Sequence, residues 1–293
     1  MFPKREERKS LKQLLEEGPV FAPCVYDAIS ARLAQNLGFE ATCLSGSETA
    51  RTRAGLPDIG LGTFDELCST IEHITDICPL PMIVDIDTGW GNELNVMRTC
   101  ERIVRAGAKA VHMEDQKFPK RCGHLAGKEV IGRDEYIRKI RAAHHVFEGT
   151  DVIIIARTDS YNVLGLEEAI WRNQAAHEAG AEVSFTEAID SVEAMETIGR
   201  RVEGWKMFGM ASYGASPKVS FEDMVDMGFN LVTFHFSMMA MVTGMTYYGR
   251  ACLDNRNNFY AIDNAAYFKD SLVSPEALTD MQGWQRLAAT FAE

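Results

Sequence analysis

The sequence predicts a (β/α)8 barrel, and three observations carry that prediction. One junction recurs: a helix-like segment ends in glycine and an apolar run follows at once, in NLGFEATCLSG (36–46), RAGAKAVHMED (105–115), EAGAEVSFTEA (178–188) and DMGFNLVTFHF (226–236). A glycine closing a helix ahead of a β-branched or aromatic run marks an αβ junction. The runs are nearly continuous in apolar residues, as parallel strands buried on both faces are. Charged residues also collect where the runs end, at the strand C-termini where barrels gather their catalytic groups.

The elements follow in order. Four more apolar runs join the series: PVFAPCV (19–25), PMIVDID (81–87), DVIIIARTD (151–159) and GWKMFGM (204–210), making eight candidate strands. Helical patterns lie between them, among them AISARLAQNL (28–37), ELNVMRTCERIVRAG (93–107) and LEEAIWRNQAAHEAG (166–180). A doubly wound open sheet would show the same alternation. The barrel is favoured because Asp85 and Asp87, Glu114 and Asp115, Arg157 and Asp159, and Glu187 close four successive runs. At 293 residues the chain matches a single barrel domain over 1–293, and no linker divides it. Residues 253–293 are surplus to a minimal barrel. They hold LDNRNNFYAIDNAAYFKD and a final helix in SPEALTDMQGWQRLAATFAE, expected to pack on a neighbouring subunit. The methionine-rich HFSMMAMVTGM (235–245) reads as helix packing.

Composition narrows the function. Hydrophobic residues make up 46% of the chain, enough for a substantial core. A net charge of −12 argues against nucleic acid, which calls for clustered cations, but permits a small anionic substrate. The charged start MFPKREERKS is unlike a signal peptide, and no apolar run approaches membrane-spanning length. Seven scattered cysteines with no CxxC pair point to reduced thiols in a cytoplasmic protein.

Two stretches carry the chemistry. In VDIDTGWGN (84–92), Asp85 and Asp87 end a strand two residues apart, on one face of it, and Glu114 ends the next strand. Three carboxylates without a nearby His or Cys suit a hard cation, Mg²⁺ first and Mn²⁺ as a substitute. Capping of the following helix is the alternative use of such an Asp. The glycines of TGWG are expected to let the backbone approach a ligand. The second stretch, PKRCGHLAGK (119–128), has no hydrophobic period. Cys122 and His124 lack a second pair, so a structural zinc knuckle is a weak reading. Lys120, Arg121 and His124 are expected to lower the Cys122 pKa toward thiolate, in a group able to attack or to exchange protons. A plain surface loop is the competing account.

VDIDTGWG, HMEDQ, KRCGH and IIARTDS, in this order and spacing, resemble the isocitrate lyase and phosphoenolpyruvate mutase superfamily, over most of the chain from about residue 22 to residue 217. KRCGH resembles the lyase branch rather than the phosphonate-forming mutases. The resemblance implies a barrel whose last helix is swapped between subunits of a dimer or dimer of dimers. It implies Mg²⁺ on Asp85, Asp87 and Glu114, largely through water, with Asp58 shaping that end. It implies that the 2-oxo-acid half of a small carboxylate substrate lies on Ser45, Gly46, Ser47, Asp85 and Arg157. The loop with Gly123 and His124 closes over it as a lid. The implied reaction is retro-aldol cleavage of a 2-hydroxy di- or tricarboxylate. Cys122 protonates the carbanion, Lys120, Arg121 and Arg157 offset its charge, His124 positions the thiol, and Glu187 orients Arg157. Two positions depart from the pattern. Cys43 stands where methylisocitrate lyases usually carry Tyr, and Gly209-Met210-Ala211-Ser212-Tyr213 lacks the Asn that holds a distal carboxylate. Ser212 and Tyr213 are the substitutes expected, and a 2,3-dimethylmalate-like substrate fits better than 2-methylisocitrate. Oxaloacetate hydrolysis or decarboxylation is the rival on the same site.

Overall fold

The computed structural model describes residues 9–211, 214–260, 263 and 275–291. Eight parallel strands close into a barrel: β1 (Val20–Val25), β2 (Thr42–Leu44), β3 (Met82–Asp85), β4 (Ala110–Glu114), β5 (Ile153–Thr158), β6 (Val183–Thr186), β7 (Trp205–Met210) and β8 (Leu231–Phe234). Pairing of β1 with β8, Val20 opposite Leu231, closes the ring. Each strand lies in one of the eight predicted runs. The junction glycines take left-handed backbone, with φ of +92° at Gly38, +104° at Gly107, +107° at Gly180 and +93° at Gly228. Such angles cost glycine little and a Cβ-bearing residue more.

Helices cover the outside in sequence: α1 (Leu11–Glu17), α2 (Ala28–Asn36), α3 (Gly46–Ala54), α4 (Phe64–Ile77), α5 (Glu93–Ala106), α6 (Arg133–Phe147), α7 (Tyr161–Leu164), α8 (Leu166–Glu178), α9 (Val192–Arg201) and α10 (Phe221–Asp226). Their starts follow from capping chemistry. Thr63 and Glu66 cap α4 reciprocally, and the Asn92 side chain accepts from the amides of Leu94 and Asn95 to start α5. Val96, Cys100 and Ile103 then recur at helical spacing and are fully buried against the sheet. Asn92 is the cap of α5, so the capping account of Asp85 and Asp87 does not hold.

Alternation along each strand sets the barrel interior. Ile83 then Asp85, Ala110 then His112 then Glu114, Ile155 then Arg157, and Phe185 then Glu187 run from apolar floor to charged rim. The apolar members form one buried cluster with Cys24, Cys43, Val183, Met207 and Leu231. Leu11, Leu14 and Leu15 of α1 join it beside Val20 and Leu231, the first residues of their strands, and so plug the opposite end. Register brings Asp85 level with His112, and Glu114 level with Arg157. The rim is therefore fixed by a floor that cannot slide by one residue without turning charges into the helix layer.

The described residues group into two compact units, one running to His235 and one starting at Phe236. The second unit contains α11 (Ser237–Asn255), α12 (Pro275–Leu278) and α13 (Met281–Ala289). No breaker interrupts α11 at position 253, where the sequence suggested that an extension begins; it stops at Arg256, in left-handed backbone. The final helix expected over 274–293 is two helices, because Asp280 takes φ +51° and caps the second with its side chain. No helix among the described residues is long and apolar enough to cross a membrane.

Candidate active site

At the strand C-termini the charges interlock. Lys120 is 3% exposed, and its Nζ lies 2.9 Å from Asp87 Oδ1 and donates to Asp58 Oδ1. Burial works against the ammonium, but Asp87, Glu114, Asp85 and Asp58 outweigh it and hold its pKa well above the ordinary lysine value. Asp85 accepts from the amides of Gly46 (3.1 Å) and Asp87 (3.0 Å). Burial opposes its charge, yet His112, Lys120 and Arg157 bring it down to about 2. Burial also lowers His112, 3.5 Å from Asp85, so of the three groups that bring Asp85 down, Lys120 and Arg157 are the standing cations at neutral pH. Burial pushes Asp87 up to about 6, with Lys120 pulling the other way and Asp85 adding to the rise. Asp87 also has φ +45°, an unfavourable angle for a non-glycine residue that the surrounding contacts hold in place.

Arg157 is the second hub. Its Nε donates to Asp159 Oδ2 at 2.9 Å, and its Nη2 stands 3.1 Å from Glu114 Oε2. Glu187 Oε2 lies 3.8 Å from Nε, and Glu187 Oε1 lies 3.3 Å from His124 Nε2. Glu187 thus links Arg157 to His124 of the loop. Asp115 turns away from this set and accepts from Arg172 (2.9 Å) and the Asp159 amide (2.8 Å).

The PKRCGHLAGK loop is fastened over the rim. At its base the Gln116 side chain donates to the Arg121 carbonyl and accepts from the Arg121 amide. Deeper, buried Lys128 donates to the Gly123 carbonyl and to Asp159 Oδ1 at 3.0 Å. A Cβ on Gly123 would collide with Glu187 and with Arg157 Nη2 (2.7 Å), so only glycine lets the loop backbone come this close. Cys122, half-buried, is held above the ordinary thiol range by burial, against a backbone hydrogen bond within the loop. This reverses the expectation of a lowered pKa. Lys120 spends its charge on carboxylates, and Arg121 is exposed, with its guanidinium at Gly127 rather than at the thiol. Burial thus favours the protonated thiol of Cys122, which suits it to giving a proton more than to standing as a thiolate.

These groups surround one cavity of about 90 Å³. Ser45, Ser47, Asp58, Asp85, Lys120, Cys122, Gly123, His124, Arg157 and Glu187 line it, as the sequence proposed. Gly46 and Asp87 face an adjoining recess with Asp85, and Glu114 is buried behind Arg157. Arg121 is not among the lining residues, and Ser212 and Tyr213 lie outside the described residues. The TGWG glycines serve packing instead of ligand approach: a Cβ on Gly89 would strike Val96 and Met113, and one on Gly91 would strike Asn95.

The donor set fits a hard cation. Asp85, Asp87 and Glu114 offer only oxygen, and neither Glu114 oxygen receives an aligned hydrogen bond in the described structure. Burial drives Glu114 well above the carboxylate range, even against Arg157 and Lys120, as expected of a carboxylate short of positive charge. Among the described residues no three His, Cys, Asp or Glu side chains enclose an ion by themselves. Mg²⁺ retains several waters and asks for only one or two direct carboxylates.

Several participants escaped the sequence reading. Lys128 and Asp159 were visible only as a third cation in the loop and a strand-end acid. Glu48, fully buried on α3, pairs through Oε1 with His235 Nδ1 at 2.8 Å, and His235 lines the cavity just past β8. Nothing in sequence spacing joins residues 187 positions apart.

A family model described as phosphoenolpyruvate phosphomutase matches residues 11–251. The chain belongs to this family. Among its members, a 2-methylisocitrate lyase of Aeropyrum pernix is 41% identical over 225 residues, 76% of this chain and 72% of the relative. A crystal structure of 2,3-dimethylmalate lyase, a member of the PEP mutase/isocitrate lyase superfamily, superposes with TM-score 0.87 at 34% identity, covering 96% of this chain and 94% of the other. A phosphonopyruvate hydrolase solved with oxalate and Mg²⁺ superposes at 0.81 with 25% identity, covering 97% of each chain. With lyases at these identities beside it, the chain is a lyase of the superfamily.

Lys128→Met would release the loop and leave Asp159 with Arg157 alone. Urea unfolding should show a loss on the order of 3 kcal/mol, as for breaking a buried ion pair. Limited proteolysis should open the 119–128 segment faster than in the wild type.

Proposed function

We propose that the protein cleaves the C2–C3 bond of a 2-hydroxy dicarboxylate of the 2,3-dimethylmalate type, in a Mg²⁺-dependent retro-aldol reaction. The observation that carries this reading is the placement of the Cys122 thiol on the same cavity as Asp85, Lys120 and Arg157, where burial favours its protonated form. Asp85, Asp87 and Glu114 would hold the ion. Bound there, Mg²⁺ supplies Lewis acidity for the substrate hydroxyl and its neighbouring carboxylate.

The chain's own groups do the rest. Arg157 and the α3 N-terminus at Ser45 and Ser47 orient the 2-oxo-acid half. Breaking C2–C3 leaves the electron pair on C3, spread into the adjoining carboxylate. The Cys122 thiol hands C3 a proton. Lys120, held charged by Asp58 and Asp87, offsets the negative charge that builds. The loop, clamped by Lys128, keeps water away while the carbanion lives.

The cavity wall supports the choice of substrate. Phe185, Met207, Gly209, Met210, Ala211 and Phe234 make most of the β6–β8 side apolar, with Glu187, Thr233 and His235 its polar members among the described residues. Such a wall favours a methyl group and offers no amide to a third carboxylate. The same reading includes a homo-oligomer in which a C-terminal helix is exchanged. Exposed Met245, Tyr247 and Leu253 on α11 and Trp284 on α13 support apolar contacts there.

Purified protein with Mg²⁺ should release pyruvate from 2,3-dimethylmalate at a kcat/KM at least tenfold above that for 2-methylisocitrate, read with a hydrazine reagent. Oxalate from oxaloacetate, with no pyruvate from either hydroxy acid, would assign a hydrolase instead. Cys122→Ser should lower kcat by roughly 10²–10⁴-fold, the range for loss of a positioned proton donor. A thiol acid is active while protonated and lost as pH rises through its pKa. The raised value therefore places the alkaline fall of the wild-type pH–rate profile above the ordinary thiol range, and Cys122→Ser should lack that fall.

A further inference from the structure

Retro-aldol cleavage needs two proton movements, one onto C3 and one off the C2 hydroxyl. Cys122 accounts for the first. The second needs an acceptor that faces the cavity and is free to take a proton. Lys120 and Arg157 are cations held by carboxylates. Asp58 is occupied by Lys120, and Glu187 by His124 and Arg157. Cys43 sits level with Cys24 on the neighbouring strand, and the two thiols hydrogen-bond to each other on the floor.

His235 differs from all of these. It lines the cavity immediately after β8, with its side chain about one-third exposed. Its Nδ1 lies 2.8 Å from Oε1 of Glu48, whose side chain is fully buried one turn into α3. A carboxylate on Nδ1 fixes the ring's orientation, selects the tautomer with its proton on Nδ1, and stabilises the imidazolium once formed. Nε2 is then the nitrogen left with a lone pair for a ligand. The ring also stands on the correct side. Strand order runs unbroken from β1 to β8, so the loop after β4 that carries Cys122 and the position after β8 that carries His235 face each other across the barrel. Acid and base thus approach the scissile bond from opposite walls.

We infer that His235 is the general base that takes the proton from the substrate's C2 hydroxyl, and that Glu48 is its positioning residue. This rests on the lyase reading above. The O–H bond breaks with its proton going to Nε2. The oxygen's electron pair becomes the C2 carbonyl, the C2–C3 pair moves to C3, and C3 takes the Cys122 proton. His235 later gives its proton to water, and Cys122 regains one, so the cycle needs no further reactant. The pairing would also supply a proton acceptor where Cys43 stands in the place of the tyrosine hydroxyl that methylisocitrate lyases usually carry.

The test uses full-length protein with Mg²⁺ and 2,3-dimethylmalate, comparing wild type, His235→Gln and Glu48→Gln for kcat, KM and melting temperature. The expected result is a kcat at least 100-fold lower in His235→Gln with KM within threefold of the wild type, in line with loss of a positioned base. Glu48→Gln, which keeps the ring but not the carboxylate, should lose at least tenfold in kcat with KM similarly unchanged. A His235→Gln kcat within threefold of wild type overturns the assignment. So does a raised KM at unchanged kcat, which would make His235 a carboxylate-binding group. Should His235→Gln fail to fold, Glu48→Gln decides by the same criterion. A wild type that cleaves no 2-hydroxy acid overturns the lyase reading itself, an outcome distinct from an active wild type with an indifferent His235.

Discussion

Lys120 is the cation that lets Asp58 and Asp87 share the barrel mouth, and the rest of the site is arranged around that need for positive charge. Six carboxylates crowd this rim: Asp58 and Asp87 pair with Lys120, Glu114, Asp159 and Glu187 with Arg157, Asp159 also with Lys128, and Asp85 feels both Lys120 and Arg157. Burial removes the solvent that would otherwise screen the excess. The imbalance falls on Asp87 and Glu114, whose pKa values burial raises, Asp87 to about 6 and Glu114 well above the carboxylate range. A divalent cation at that point would supply what the three side-chain cations do not.

The same shortage organises the lid. The loop carries two of the three cations, Lys120 and Lys128, and both are buried beneath its backbone rather than displayed to solvent. The segment that covers the rim is therefore also the one that brings it two of its cations. Cys122, lying between those anchors, is brought to the cavity as a neutral thiol. Its environment is apolar enough to raise its pKa, and the nearby cations are already committed to acids. In the proposed reaction a proton donor in a negatively charged site needs this combination, because it would have to keep its proton until a stronger base, the carbanion, forms beside it.

The barrel was legible in the sequence because its cues are local. Glycine-closed helices and apolar runs are properties of ten-residue windows, and all eight strands fall where those windows predict. The acid cluster was legible for the same reason, since strand alternation alone puts Asp85 on the face of Ile83 and Glu114 on that of His112. What stayed hidden depends on closure of the ring. Glu48 and His235 meet only because β8 returns to β1, and no periodicity encodes that contact. The direction of the Cys122 pKa was misjudged because sequence neighbours are not spatial neighbours: Arg121 and Lys120 flank the thiol in the chain but turn their charges elsewhere. The TGWG glycines looked like ligand contacts, and packing against Val96, Met113 and Asn95 explains them instead.

The central claim, that the rim is built short of positive charge which a bound divalent cation would supply, is most directly tested by calorimetric titration of the purified protein with Mg²⁺ in the absence of substrate. The account predicts one saturable site per chain, weakened at least tenfold in Asp87→Asn and in Glu114→Gln while both variants keep the wild-type circular dichroism spectrum. A wild-type protein that takes up no Mg²⁺, or variants that bind it as tightly as the wild type, would contradict it.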